Sequence, residues 1–201
     1  MTTLWLVRHG QTDWNVEGRY QGQTDVPLNA AGLAQAHALA AELAGRPFDA
    51  VYSSDLQRAR ITAEIIARPL RLPVQTDIRL REINQGQWEG QIYKHLVARF
   101  QAEMLARRGD PNGFRPPDGE SVAEVAARVA QAIDAIACAH PDGQVIVVSH
   151  ALALATLICQ ANQIPLQDVY DHLPHNAHPE VIEWPPRMNG HKAPQSHSAT
   201  G

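Results

Sequence analysis

Leu-Trp-Leu-Val-Arg-His-Gly-Gln-Thr-Asp-Trp-Asn, residues 4–15, is the stretch that decides the fold. Its first four residues are apolar at consecutive positions and predict a short buried strand, after which polar residues follow. Arg8 keeps its charge at physiological pH, and His9 has a side chain that titrates near neutrality. Gly10 lets backbone approach a ligand closely, and Asn15 adds an amide donor. This strand end is suited to binding a phosphoryl group.

The composition of the chain fits one α/β domain with a sizeable core. The chain has 201 residues, of which 44% are hydrophobic, and a net charge of −4. It lacks the basic stripe or lysine-rich tail that is typical of proteins that bind nucleic acids or membrane surfaces. We therefore expect neither partner, and we expect any anion site to be local.

The cysteine spacing and the lengths of the apolar runs indicate the cellular compartment of the protein. Cys138 and Cys159 lie singly in apolar contexts, without the spacing of a metal site or a disulfide framework. The apolar run before Arg8 is too short for a signal peptide, and no run reaches the roughly 18 residues of a membrane span. The sequence predicts a cytoplasmic protein.

Strands and helices are predicted to alternate along the chain. The predicted strands are 4–7, 50–53, 74–76, 144–149 and 180–184, and the predicted helices are 30–44 (capped by Asn29), 55–67 (capped by Ser54), 91–108, a helix from the Ser121–Glu124 capping box to 139, and 151–160. This alternation predicts a three-layer α/β sandwich, with a mostly parallel central sheet and helices on both faces. Residues 1–185 are expected to form a single domain, and residues 186–201 a loose tail.

Ligands of such sheets bind beyond the carboxyl ends of the strands, which places His9, the start of the helix capped by Ser54, and His150 at one edge of the sheet. Arg58 lies near the start of the helix that Ser54 caps, where an anion is favoured. Glu82 is placed at the end of a short strand, and His150 at the end of the buried strand 144–149. An exposed arginine, an exposed carboxylate and a core histidine are the ordinary alternatives.

Four motifs in this order resemble those of the histidine phosphatase superfamily, also called phosphoglycerate mutase-like. They are Leu6–Asp13, Ser53–Ala59, Leu80–Gly90 and the strand end at His150. The resemblance covers about residues 4–155 and looks more like the phosphatases of the family than its mutases. It implies that His9 is the nucleophile, that Arg58 binds phosphate, and that Glu82 is the general acid and base, with Glu89 as the competing candidate.

The same comparison implies further contacts with the substrate. Arg8, Asn15, Gln21, Gly22, Arg58 and His150 fall where family members bind phosphate or the leaving group. Many relatives have a hydroxyl residue at the position of Gln21. Ala151 replaces the glycine that follows the histidine in relatives, but its backbone N–H is still expected to be available for a phosphate oxygen.

The resemblance implies covalent catalysis without a metal or another cofactor. His9 would attack phosphorus, and water would resolve the phosphohistidine. Arg8, Arg58 and a protonated His150 are expected to keep His9 neutral. The substrate would be a small phosphorylated metabolite whose identity the sequence does not give. A cofactor-dependent phosphoglycerate mutase and a non-catalytic phosphate-binding module are the alternatives, and the oligomeric state stays open, with a homodimer as one option.

Two other patterns point less clearly to a function. His172, His175 and His178 recur every three residues, but nearby prolines prevent a regular helix, so a metal site is not expected. The segment 91–115 carries five basic residues against two acidic ones. We interpret it as a solvated helical face, with recruitment of phosphorylated substrates as the alternative.

Overall fold

The computed structural model describes residues 1–186, apart from the side chain of Arg108. Over these residues the sheet has five strands, namely β1 (Thr2–Arg8), β2 (Ala50–Ser53), β3 (Val74–Thr76), β4 (Gln144–Ser149) and β5 (Pro179–Trp184). Their order is β3-β2-β4-β1-β5. All neighbours are parallel except β5, which is antiparallel to β1. The mostly parallel sheet is confirmed, and each of the five strand ranges lies within an observed strand.

Helices cover both faces of this sheet. The helices of the described chain are α1 (Asp13–Glu17), α2 (Ala30–Leu43), α3 (Gln57–Leu70), α4 (Tyr93–Arg99), α5 (Gln101–Gly109), α6 (Val122–Ala139) and α7 (Ala151–Ala161). Helices α2 and α3 pack against one face, and α6 and α7 pack against the other. The three-layer α/β sandwich is therefore confirmed.

Strand β4 is buried on both faces, as its consecutive apolar residues predict. Val145 and Val147 pack in the core that contains α6 and α7. Ile146 and Val148 point the opposite way, into the core that contains α2 and α3. The strand can therefore lie in the middle of the sheet, where it separates the two hydrophobic cores.

The predicted helix caps at Asn29 and Ser121 are confirmed. The Asn29 side-chain oxygen accepts a hydrogen bond from the backbone N–H of Gly32 over 2.9 Å. Ser121 and Glu124 form the reciprocal capping box, in which each side chain accepts from the other residue's backbone N–H. These short-range bonds fix the starts of α2 and α6.

The helix expected to start after Ser54 begins later and ends later. Helix α3 starts at Gln57 with Leu56 as its N-cap, whose apolar side chain cannot cap it, and the Asp25 carboxylate accepts from the backbone N–H of Gln57 over 2.8 Å. The Ser54 hydroxyl instead accepts from the Leu56 backbone N–H over 3.3 Å. Pro69 lies inside the last turn and does not end the helix, because the proline ring has a φ that a helix can use and the chain leaves the helix at Arg71.

Two other expectations between residues 78 and 109 are wrong. Glu82 does not end a strand, because it follows the short 3-10 turn Ile78–Leu80 in an irregular segment. The predicted helix 91–108 is divided into α4 and α5 at Phe100, whose backbone leaves the helical region with φ −122° and ψ 49°. The Phe100 ring packs against the ring of Trp88, and the two centroids are 6.3 Å apart.

The division of the chain into one domain over residues 1–185 and a tail stays a prediction. Most of that tail, residues 187–201, lies outside the described residues. Across residues 1–186, no helix is both long and apolar enough to cross a lipid bilayer.

Two glycines let helix α2 approach the segment that follows β1. A Cβ atom on Gly10 would overlap the backbone carbonyl of Gly32, and a Cβ atom on Gly32 would overlap the backbone of Gln11. Gly10 is therefore required for the packing of two backbones. This replaces the expectation that it approaches a ligand, since Gly10 does not line the cleft described below.

We predict that Gly32→Ala lowers the free energy of unfolding by about 1–3 kcal/mol, because the added methyl group forces two backbones apart. The control is Gly109→Ala, whose added methyl group has no neighbour within 4 Å. Urea denaturation of the two variants and the wild type measures the effect. Equal stability of the two variants would contradict the proposed packing constraint.

Candidate active site

The parallel pairing of β1 with β4 brings the two predicted histidines together. Arg8 lies opposite Ser149 in this pair, so His9 and His150 follow at neighbouring strand ends. The backbone N–H of His9 donates to the Ser149 carbonyl oxygen over 3.0 Å. The centroids of the two imidazole rings are 5.2 Å apart. Strand β2 lies on the other side of β4 and leads into α3, which carries Arg58 to the same edge.

A cleft of about 270 Å³ opens at this edge of the sheet. It is lined by eight of the predicted site residues, which are Arg8, His9, Asn15, Gln21, Gly22, Arg58, Glu82 and Ala151. The ninth, His150, is fully buried beside the ring of His9. The lining also includes residues that the sequence analysis did not predict as site residues, namely Arg19, Tyr20, Ile83, Gln85, Arg107, Leu152, Tyr170 and Leu173.

His9 presents one ring nitrogen as a free acceptor. Its Nδ1 lies 2.7 Å from the carbonyl oxygen of Gly10, which can only accept, so Nδ1 carries the proton and Nε2 keeps its lone pair. Burial lowers the pKa of His9 well below its usual value, and the charges of Arg58 and Arg8 lower it further. His9 is therefore a neutral imidazole near pH 7, as a nucleophile must be.

His150 has no exposed surface, and in the described chain neither of its ring nitrogens has a hydrogen-bond partner. Burial lowers its pKa well below the usual value, and the charge of Arg58 adds to this effect. The expectation that His150 is protonated is therefore wrong, because removal from water disfavours the charged ring. A neutral His150 still offers one N–H donor next to His9.

The fully buried Arg58 and the half-buried Arg8 supply the positive charge of the site. The terminal nitrogens of Arg58 donate to the carbonyl oxygens of Gly22 and Thr24, both over 2.7 Å. One terminal nitrogen of Arg8 donates to the Pro174 carbonyl oxygen over 3.0 Å. The Nε atoms of both arginines are buried without a partner among residues 1–186. Burial lowers the pKa of Arg8, and it lowers the pKa of Arg58 to about 10, so both stay charged at pH 7.

The Glu82 carboxylate lies at the start of helix α7. Its Oε1 accepts from the backbone N–H groups of Ile83, over 2.9 Å, and Ala153, over 3.2 Å. Its Oε2 accepts from the Leu152 N–H over 3.2 Å. Two of these donors, Leu152 and Ala153, follow His150 closely in the chain, so the carboxylate is held near His150 in the lining of the cleft.

The backbone around Glu82 is held by Arg128 of helix α6. The Arg128 guanidinium donates to three carbonyl oxygens in this segment, over 2.7 to 2.9 Å, which belong to Arg79, Arg81 and Glu82. It also forms an ion pair with Glu120, with a closest distance of 2.9 Å. An irregular segment thus gains a fixed position from a neighbouring helix.

Glu89, the competing candidate for the general acid, does not line the cleft. Its carboxylate accepts from the backbone N–H groups of Gln23, Thr24 and Gln85, over 2.8 to 3.1 Å. It lies against Gly22, whose φ of +52° and lack of a Cβ atom leave room for the carboxyl group. Glu89 therefore orders the loop that carries Gly22, and the geometry favours Glu82 as the residue at the cleft.

Asn15 and Gln21 are linked through Thr12. The Asn15 side-chain oxygen accepts from the Thr12 backbone N–H over 3.0 Å, which leaves the amide nitrogen of Asn15 as its donor group. The Thr12 hydroxyl lies 3.0 Å from Oε1 of Gln21. Thr12 is fully buried and was not predicted, although its place before α1 identifies it as a helix cap.

Arg107 contradicts the expectation that the basic segment 91–115 is a solvated face throughout. Only 8% of Arg107 is exposed, and it lines the cleft. The one sequence signal for its burial is its position three residues after Met104, which is also buried. A second cavity, of about 380 Å³, lies beyond Arg107, and both cavities share the side chains of Tyr20, Arg107 and Tyr170.

In the part of the chain that the structure describes, no group of three or more histidine, cysteine, aspartate or glutamate residues could hold a metal ion. His172, His175 and His178 belong to this part and form no such group.

Comparison with known proteins agrees with the fold. The chain is 33% identical over 189 residues to phosphoserine phosphatase 1 of Hydrogenobacter thermophilus, which covers 94% of this chain and 90% of the relative. It is 38% identical over 170 residues to the "probable phosphoglycerate mutase GpmB" of Proteus mirabilis, with coverages of 82% and 77%. The mycobacterial glucosyl-3-phosphoglycerate phosphatase, in a complex with VO3, superposes with a TM-score of 0.83 at 33% identity, and the superposition covers 90% of both chains.

The family model described as the histidine phosphatase superfamily, branch 1, matches residues 4–192, which is nearly the whole chain. That range contains all nine residues that the sequence motifs predicted for the site. The phosphatase-named relatives agree with this match. The chain therefore belongs to branch 1 of the histidine phosphatase superfamily and is an enzyme of the phosphomonoesterase type.

Proposed function

We propose that this protein is a metal-independent phosphomonoester hydrolase that acts on a small phosphorylated metabolite through a phosphohistidine. The observation that carries the proposal is a set of four buried polar nitrogens around His9 that lack partners among the described residues. They are Nε of Arg8, Nε of Arg58 and both ring nitrogens of His150. Three of the four can donate a hydrogen bond, namely the two Nε–H groups and the single N–H of a neutral His150. Buried donors without partners are costly, and the oxygens of a phosphoryl group would satisfy these three.

In the first step, Nε2 of His9 attacks phosphorus and the bond from phosphorus to the ester oxygen breaks. Arg8 and Arg58 stabilise the negative charge on the phosphoryl oxygens, which supplies electrostatic catalysis from the protein itself. Glu82, in its protonated form, gives its proton to the departing ester oxygen. In the second step, Glu82 takes a proton from water as the water oxygen attacks phosphorus, and His9 is released.

The names of the relatives suggest a class of substrate. Phosphoserine and phosphoglycerate are small phosphomonoesters that carry a carboxylate. A cleft of about 270 Å³ has room for molecules of this size. The relative named as a probable phosphoglycerate mutase supports a second candidate, in which the phosphohistidine returns its phosphoryl group to a hydroxyl of the substrate.

We predict that His9→Ala lowers turnover by at least about 1,000-fold, because no other nucleophile is assigned to the site. Inorganic phosphate release is measured with chelator present, from an activated aryl phosphate and from 3-phosphoglycerate. The control is His37→Ala on the exposed side of α2. Isomerised phosphoglycerate without phosphate release would indicate a mutase, and no reaction with any compound would favour a binding module.

We predict that Glu82→Gln slows hydrolysis of an alkyl phosphate at least about 100-fold more than hydrolysis of an activated aryl phosphate, whose leaving group needs no proton. Glu89→Gln is the matched variant, and because Glu89 orders a loop, it should slow both substrates by similar factors. Steady-state kinetics of both variants on both esters decides between the carboxylates. The opposite pattern would make Glu89 the general acid.

The lowered pKa values of the two buried histidines have a consequence for stability. Because folding lowers the pKa values of His9 and His150, the unfolded chain binds more protons below its own histidine pKa of about 6.5. Stability should be complete above that pH and fall as the pH drops below it, by up to about 2 kcal/mol per histidine at pH 5. Urea denaturation at pH 7 and pH 5 should show a smaller fall for His150→Gln than for the wild type. An equal fall would indicate that His150 is protonated in the folded protein.

A further inference from the structure

Arg107 is a buried cation without an anionic partner. Its Nε donates to the Tyr170 hydroxyl over 2.8 Å, and one terminal nitrogen lies 3.2 Å from the Tyr20 hydroxyl and 3.4 Å from Oε1 of Gln85. These partners are all neutral. Among the described residues, no carboxylate forms an ion pair with Arg107 within 4.0 Å, although Asp168 lines the adjoining cavity. A buried charge of this kind is costly until an opposite charge joins it.

The hydroxyl groups of Tyr20 and Tyr170 add two hydrogen-bond donors beside Arg107. Each phenol oxygen accepts a hydrogen bond from Arg107, so each O–H group keeps its hydrogen for another acceptor. Burial raises the pKa of Tyr20, which keeps its hydroxyl protonated at neutral pH. Both tyrosines line the cleft. Arg107, Tyr20 and Tyr170 therefore present one positive charge and two hydroxyl donors, and together they suit an oxyanion.

This group of donors is separate from the phosphoryl end of the cleft. Arg8 and Arg58 donate to the carbonyl oxygens of Pro174, Gly22 and Thr24, and they share no hydrogen-bond partner with Arg107. The two ends nevertheless line one cleft of about 270 Å³. A small substrate whose phosphoryl group lies at His9 would have its remaining atoms in the cleft that Arg107 also lines.

We infer that Tyr20, Arg107 and Tyr170 form a second anion subsite, which binds a carboxylate on the phosphomonoester substrate. The inference rests on the proposed hydrolase function and narrows its substrates to phosphorylated carboxylic acids. Among the described residues the second terminal nitrogen of Arg107 has no hydrogen-bond partner, so it can donate to a carboxylate whose other lone pairs accept from the two hydroxyls. The Trp88 and Tyr170 rings lie 5.8 and 5.2 Å from the guanidinium carbon and hold its plane in place.

The test compares 3-phosphoglycerate with glycerol 3-phosphate, which has a hydroxymethyl group where the first compound has its carboxylate. Arg107→Gln should lower kcat/KM for 3-phosphoglycerate by about 10- to 100-fold more than for glycerol 3-phosphate, as expected for loss of hydrogen bonds to a charged group. Arg99→Gln removes the same charge from an exposed position on α4 and should leave the ratio of the two kcat/KM values at its wild-type value.

A second variant protects the test against misfolding of the first. Tyr170→Phe keeps the ring beside Arg107 and removes only the hydroxyl, so it should shift the same ratio in the same direction by about 3- to 10-fold. Equal losses on both substrates in both variants would show that the three residues serve folding alone. Wild-type kcat/KM values for both substrates in both variants would show that the carboxylate lies elsewhere.

Binding separates failure of this inference from failure of the proposed function. In the His9→Ala background, calorimetry should show that 3-phosphoglycerate binds more tightly than glycerol 3-phosphate, and that Arg107→Gln removes the difference. That result would support the subsite even if the wild type released no phosphate. Equal affinities in the His9→Ala protein, beside normal release of phosphate from an aryl phosphate by the wild type, would overturn the subsite and leave the hydrolase intact.

Discussion

The parallel hydrogen bonding between β1 and β4 is the constraint on which the site depends. It sets His9 beside His150, and it also sets where helix α7 begins, since α7 follows directly on His150. The backbone N–H groups of Leu152 and Ala153, in the first turn of α7, then donate hydrogen bonds to the Glu82 carboxylate. A shift of one residue in this strand pairing would turn side chains to the opposite core and would separate the two histidines.

The sequence predicts this arrangement well where the determinants are local. Consecutive apolar residues mark β4, and the side chains of Asn29 and Ser121 mark the helix starts. The predicted site residues gather because they follow strands whose carboxyl ends must meet at one edge. The burial of Arg107 was not predicted, because it depends on aromatic rings that come from distant segments of the chain. The role of Gly10 was mistaken because its neighbour, Gly32, is brought to it only by tertiary packing.

The site combines buried positive charge with few internal counter-charges. Arg58 is satisfied mainly by carbonyl oxygens, which hold it without neutralising it, and in the described chain its Nε has no partner. Such an arrangement lowers the stability of the folded protein, as is usual where a site is built for a ligand that arrives later. Arg128, in contrast to Arg58, has an internal counter-charge, because it forms an ion pair with Glu120. Its remaining donors bind backbone carbonyl oxygens near Glu82.

The side chains of Tyr20, Arg107 and Tyr170 stand as a partition between two adjoining cavities of about 270 and 380 Å³. None of the three belongs to the strand ends that carry out phosphoryl transfer. Smaller side chains at these three positions would join the two spaces into one long groove. Evolution could therefore move such a protein from compact metabolites to much bulkier ones while the reaction centre keeps every atom in place.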